Sequence, residues 1–151
     1  MSSLPIANSP PPVPNIAPWL AVRDAQQAVA FYGAAFGATE LYRLDGDNGR
    51  IEVAQLSIGG ATFWVQHDPS ASPETHLGHA SCAVSLRIPE TPAGTPVRLI
   101  LSVDDPDKFF AQSIAAGAIP IAVVHEEYGW RTGRITDPFG HDWELSKQLP
   151  A

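Results

Sequence analysis

Cysteine is nearly missing: Cys82 is the single one in 151 residues. That excludes a disulfide framework within the chain and any multi-cysteine zinc site. Basic residues are few as well, nine against sixteen acidic ones, for a net charge of −7. A nucleic-acid partner is therefore not expected, because such binders draw affinity from neutralising phosphates. No apolar run approaches the ~20 residues of a membrane helix. The N-terminus shows no basic patch followed by an apolar stretch, so no secretory leader is expected either. The expectation is a cytoplasmic domain with no membrane contact. Hydrophobic residues make up 44% of the chain, which suits a globular fold. A chain of this size hides roughly 68–70% of its unfolded surface and needs no covalent staple.

Proline, by contrast, is abundant, with 15 residues in two main clusters. Pro5, Pro10, Pro11, Pro12, Pro14 and Pro18 open the chain. Proline lacks a donor and fixes φ, so residues 1–14 read as an extended or disordered tail with polyproline II character. A plain tail and a recognition peptide for an aromatic groove are both compatible with it. Pro69, Pro73, Pro89, Pro92 and Pro96 bracket a mid-chain stretch. It reads as a linker over 68–95, with Ser81 to Ile88 as a possible short strand. Residues 15–148 then form a single domain built of two modules, 15–67 and 96–148.

These modules repeat each other. Leu20-Ala21-Val22-Arg23-Asp24 matches Leu101-Ser102-Val103-Asp104-Asp105 at an offset of 81 positions. Each is a short apolar strand ending at an Asp suited to cap a helix. Ala28, Phe31, Tyr32, Ala35 and Phe36 then fall at helical spacing in the first module. In the second, Pro106 suits a first helical position, and Phe109, Phe110 and Ile114 form the apolar stripe. Gly37-Ala38 and Gly117-Ala118 mark the helix ends. Three strand-like runs follow in each half: 39–44, 51–58 and 62–67, then 119–125, 131–136 and 142–147. Gly59-Gly60 and Asp137-Pro138-Phe139-Gly140 supply the last turns. The predicted fold class is α+β, two βαβββ modules with mixed sheets forming an open cup or incomplete barrel.

This duplicated pattern resembles the vicinal oxygen chelate superfamily, the glyoxalase/bleomycin resistance protein/dioxygenase family. Its most specific stretch runs from Tyr128-Gly129-Trp130-Arg131 through Thr136-Asp137-Pro138-Phe139-Gly140-His141-Asp142-Trp143-Glu144. Ala30-Phe31-Tyr32 and Phe36-Gly37-Ala38 resemble the first-helix signature of the same family. The resemblance implies metal ligands, usually His, Glu or Gln, on the first and last strands of each module. Those positions carry Ala17, Trp64, Arg98 and Glu144. Only Glu144 can bind a divalent ion, and an arginine opposes one. The expected metal set is none, with Glu144 as the single retained ligand type, and an ion pair between Arg98 and Glu144 is expected in its place.

Strand alternation sends Trp19, Trp64 and Gln66 to the cup, with Val53 and Gln55 beside them. Two tryptophans, amides and a charged pair suit a planar ligand held by stacking, although the tryptophans could also be ordinary core. Trp130 and Arg131 are candidates for a rim contact. The binding set is thus Trp19, Val53, Gln55, Trp64, Gln66, Arg98, Trp130, Arg131 and Glu144. His76, His79 and Cys82, spaced by three in the linker, could hold zinc but lack a fourth ligand. His141 reads as a structural group, and His67 and His125 as rim residues meeting solvent. No Ser-His-Asp or Cys-His set and no phosphate loop appears, so no catalytic residue is named.

The leading expectation is a metal-free small-molecule-binding protein holding an aromatic or antibiotic-like ligand. Its alternative is a metal-dependent lyase or dioxygenase of the same superfamily, using a divalent metal as cofactor. A third reading is an interaction domain with a filled cup. The balance leans away from an enzyme because of Ala17, Trp64 and Arg98. The resemblance also implies a homodimer, with cups formed within one chain or between swapped modules.

Overall fold

The computed structural model describes residues 14–71 and 97–151. The expectations for the tail up to residue 13, for the Ser81 to Ile88 strand and for His76, His79 and Cys82 lie outside the described residues. Elements run in the order β1 (Trp19–Val22), α1 (Ala25–Phe36), β2 (Thr39–Asp45), β3 (Ile51–Ile58) and β4 (Ala61–His67), then β5 (Arg98–Ser102), α2 (Pro106–Ala115), β6 (Ile119–Glu127), β7 (Trp130–Thr136) and β8 (Asp142–Gln148). They form two four-stranded sheets, ordered β1-β4-β3-β2 and β5-β8-β7-β6. In each sheet the first strand pairs in parallel with the last, and the other pairings are antiparallel. The fold is α+β, two βαβββ modules with mixed sheets forming an open cup rather than a closed barrel.

The helix boundaries follow from the capping chemistry in the sequence. The Asp24 side chain accepts from the Gln27 amide, and Gly37 closes α1 in the left-handed conformation at φ 69°. Asp105 caps α2 through the Lys108 amide, with Pro106 in its first turn. The α2 cap itself is Ala116, and Gly117 follows it at φ 112°. All five apolar residues predicted for α1 are buried, whereas Phe109, Phe110 and Ile114 of α2 are only half-buried. Gly133 lies within β7. A Cβ there would stand 2.8 Å from the Val124 side chain and 3.2 Å from Phe110, so its bareness lets α2 settle on the sheet.

One core spans both modules. Trp143 of β8 packs at 4.8 Å from Phe36 and 5.7 Å from Tyr32, ring centre to ring centre, both on α1. Phe63 of β4 also meets Trp143, at 5.8 Å, and Phe139 meets Phe31 at 6.2 Å. At the centre of this cluster sits Asp137, only 1% exposed. Its carboxylate accepts from the Tyr32 hydroxyl at 2.6 Å and from Trp143 Nε1, the Phe139 amide and the His141 amide, each at 2.9 Å. A buried carboxylate is tolerable only with such a full set of donors. Burial, reinforced by Asp137, pushes the Tyr32 hydroxyl well above the usual tyrosine range. The Asp-Pro-Phe-Gly-His turn is therefore a staple between the two modules. His141 adds a second tie, with Nε2 2.9 Å from the Ala21 carbonyl oxygen.

This packing decides where the cup faces point. Both helix-covered faces join the shared core, which leaves the other face of each sheet open. Trp19 is 54% exposed on one open face and Ile100 63% on the other.

Candidate functional site: two unlike open faces

The open face of the first module is an aromatic wall. Trp19 and Trp64 stand side by side across the parallel β1–β4 pairing, and their rings stack with centres 5.6 Å apart and planes 22° from parallel. Tyr42 of β2 meets Trp64 edge-on at 5.9 Å. Trp19 Nε1 donates to Gln66 Oε1 at 2.7 Å, fixing the outer indole. Val53 and Gln55 lie in register with Gln66 and Trp64, completing the rows. Alternation puts all five predicted residues of this module on one face, as expected. The tryptophans are not sunk in a core, because both rings reach the open surface. Tyr42 escaped sequence reasoning. A β-bulge between Glu40 and Tyr42 shifts the alternation of β2, and no residue pattern in that strand announces it.

The open face of the second module is ionic. Arg98 Nε lies 3.2 Å from Glu144 Oε2, and Glu144 Oε1 accepts from the Thr132 hydroxyl at 3.0 Å. The expected Arg98–Glu144 pair is thus formed. Thr136 donates to Asp142 at 2.7 Å on the same face. His125, in register with Thr132, has Nδ1 2.9 Å from the Val123 carbonyl and Nε2 3.2 Å from Glu127. The Val123 carbonyl, then Glu127 and more distantly Glu144, hold the imidazole above its ordinary pKa. His125 meets solvent as expected, but it does so on the open face beside the ion pair. Two register shifts in β6 cancel, so His125 shares the face of Ile119, which pairs with Thr136.

Trp130 begins β7 on the same side as Thr132, so it borders this face. Arg131 points the other way. Its guanidinium takes both oxygens of Asp107 on α2, at 2.6 and 2.7 Å, and lies 3.6 Å from Glu126. One residue of register separates it from the cup. His67 is likewise turned to the helix side, where its Nδ1 accepts from the Ala25 amide at 3.4 Å.

The four positions where the family resemblance implies metal ligands can be tested on these contacts. Ala17 has no donor atom, Trp64 presents an indole stacked on Trp19, and Arg98 puts a fixed positive charge on the carboxylate of Glu144. The residues present do not fit a divalent ion, which needs several N or O ligands converging on it. Among the described residues no group of three His, Cys, Asp or Glu side chains gathers elsewhere as a metal site.

Among the described residues, no hydrogen bond, ion pair or ring contact joins side chains of the aromatic wall to side chains of the ionic face. The structure gathers the predicted residues other than Arg131 into two half-sites, not one.

The βαβββ duplication, the shared seam and the ligand-strand geometry define a class of protein. Residues 13–145 match the model of the Glyoxalase/Bleomycin resistance protein/Dioxygenase superfamily, and the chain belongs to that superfamily. The uncharacterized protein Rv0887c of Mycobacterium tuberculosis is 36% identical over 137 residues, covering 90% of this chain and 75% of that protein. Among solved structures, TioX from Micromonospora sp. ML1 superposes with a TM-score of 0.63 at 27% identity, covering 91% of this chain and 98% of TioX. The fosfomycin resistance protein FosX from Listeria monocytogenes has the same TM-score at 17% identity, covering 91% of this chain and 94% of FosX. The FosX likeness is one of fold. No helix among the described residues is long and apolar enough to cross a membrane.

Proposed function

We propose that this chain is a metal-free binding protein for a planar aromatic or antibiotic-like small molecule, and that its cups form between two copies. The observation that carries the reading is the aromatic wall, with Trp19 and Trp64 stacked yet open to solvent. A solvent-facing indole pair, its outer ring tied by Gln66, is a preorganised stacking platform. Apolar surface of this kind is costly to leave in water and marks a binding face. Superfamily membership supports a small-molecule ligand.

The shared core supports the composite arrangement. Both helix-covered faces are taken up in it, so each open face is left for the complementary face of a second copy, wall against ionic face. Each copy then supplies Trp19, Val53, Gln55, Trp64 and Gln66 to one cup, and Arg98, Trp130 and Glu144 to the other. The Arg98–Glu144 pair occupies the floor where the family resemblance implies a metal, which supports a ligand-holding rather than a metal-activating role.

Two measurements test this reading. Metal analysis of the purified protein should find less than stoichiometric Zn, Ni, Mn and Fe, and a stoichiometric ion would favour the lyase or dioxygenase alternative. Thermal-shift screening against bicyclic aromatics should raise the melting temperature, because a ligand that binds only the native state stabilises it. Absence of any shift across such a set would leave the interaction-domain reading standing instead.

A further inference from the structure

The ionic face holds three carboxylates and two guanidiniums, and their partners are unevenly shared. Glu144 is held by Arg98 and Thr132, Asp142 by Thr136, and Glu127 by His125. Arg134 stands directly across from Glu144 in the β7–β8 register, on the same face and half-buried. Among the described residues it forms no ion pair and no side-chain hydrogen bond. The nearby carboxylates balance its charge, so what is left over is donor capacity: a planar fork of N–H groups without an acceptor.

Closing the cup makes that shortage worse. Resting on the composite-cup reading above, the surface laid over Arg134 is the aromatic wall. The wall's inward side chains, from Trp19 and Ala21 through Val53 and Gln55 to Trp64 and Gln66, carry no acid. Its Gln66 oxygen is already engaged by Trp19. A guanidinium that loses water without gaining an acceptor is strongly disfavoured. The wall's remaining acceptors, the Gln55 amide oxygen and the Tyr42 hydroxyl, are neutral, so a carboxylate on the ligand is the stronger partner for Arg134.

The geometry points to an aromatic carboxylate as the ligand class, its ring stacked on Trp19 and Trp64 of one copy and its carboxylate received by Arg134 of the other. Arg98 is the weaker candidate for that task because Glu144 already holds it. Arginine suits the role through its two-pronged match to a carboxylate.

Calorimetric titration of the full-length protein with naphthalene-2-carboxylate, naphthalene-2-carboxamide and naphthalen-2-ylmethylamine tests this. The acid should bind about tenfold or more tightly than the amide, as one charge-assisted contact supplies. Arg134→Gln should erase that preference while leaving amide affinity in place. Arg134→Lys, which keeps the charge but not the fork, should recover only part of it. Intact melting curves for both variants separate a lost receptor from a lost fold. Equal binding of acid and amide, tighter binding of the amine, or an acid preference that survives Arg134→Gln would overturn the carboxylate assignment while leaving aromatic binding intact. No binding of any of the three would overturn the aromatic-cup reading itself.

Discussion

The two modules share a backbone plan and differ in what their open faces carry. The first presents stacked indoles, a tyrosine edge and amides, without an acid or base among its inward positions. The second presents an Arg98–Glu144 pair, further acids, His125 and Arg134, which is unengaged among the described residues. The helices differ in the same sense. The apolar face of α1 is wholly buried and carries most of the shared aromatic core, whereas α2 is half-buried and is tied to its sheet by the Arg131–Asp107 ion pair. The contrast shows that topology and site chemistry are separable. One βαβββ frame places side chains at equivalent positions, and complementary rather than identical faces make a pocket worth closing.

The strongest test of the shared core is Asp137, which serves neither open face. Asp137→Ala leaves the Tyr32 hydroxyl and Trp143 Nε1 buried without their acceptor, along with two amides. Urea unfolding should show a loss of about 3–5 kcal/mol, in the range for breaking a buried charged network. Tyr32→Phe removes one of the four donors and should cost about 1–2 kcal/mol by the same measurement. A loss below that of Tyr32→Phe for Asp137→Ala would mean that the modules are not joined through this turn.

The helix caps sharpen the comparison on a smaller scale. Asp24 caps α1 and also pairs with Arg50 at 3.0 Å, whereas Asp105 caps α2 alone. Burial raises the Asp24 pKa, but the Gln27 amide and Arg50 together outweigh it and hold the carboxyl below its usual value. Each Asp→Ala change should cost about 1 kcal/mol, with Asp24→Ala the larger of the two. Its share should fade as the pH falls through the depressed Asp24 pKa, because a carboxylate held low in the folded state stabilises only while ionised.

His125 should give the smallest effect, with the opposite sign. Its pKa is raised by the Val123 carbonyl and Glu127, so its contribution is fully present below the unfolded histidine value and is lost as pH rises through the folded one. Proton NMR of the imidazole should show a midpoint above about 6.5. His125→Ala should flatten the stability profile across that window, with no change at high pH.

Much of this was legible in the residues. The repeat offset, the Asp caps and alternation around Leu20, Val22, Leu99 and Leu101 place every strand within a few residues. The same alternation assigns Trp19, Trp64, Arg98 and Glu144 to open faces. Three things were hidden for physical reasons. Tyr42 reaches its face through a β-bulge, which shifts side-chain parity without a sequence signature. The role of Asp137 depends on Tyr32, 105 positions away, and no local pattern encodes such a partner. That the helix-covered sides of both modules share one core depends on packing between modules, which short-range periodicity does not report.

The central claim is that each cup is shared by two copies, and subunit mixing tests it most directly. Trp64→Ala opens the wall and Thr132→Trp fills the ionic floor, so each variant alone should lose binding of naphthalene-2-carboxylate. Co-refolding equal amounts of the two should produce mixed dimers in which one cup carries neither substitution. The account predicts recovery of binding at about one quarter of the cups, as random pairing in a symmetric dimer requires. A mixture that binds no better than the separate variants would show that each cup is built within a single chain.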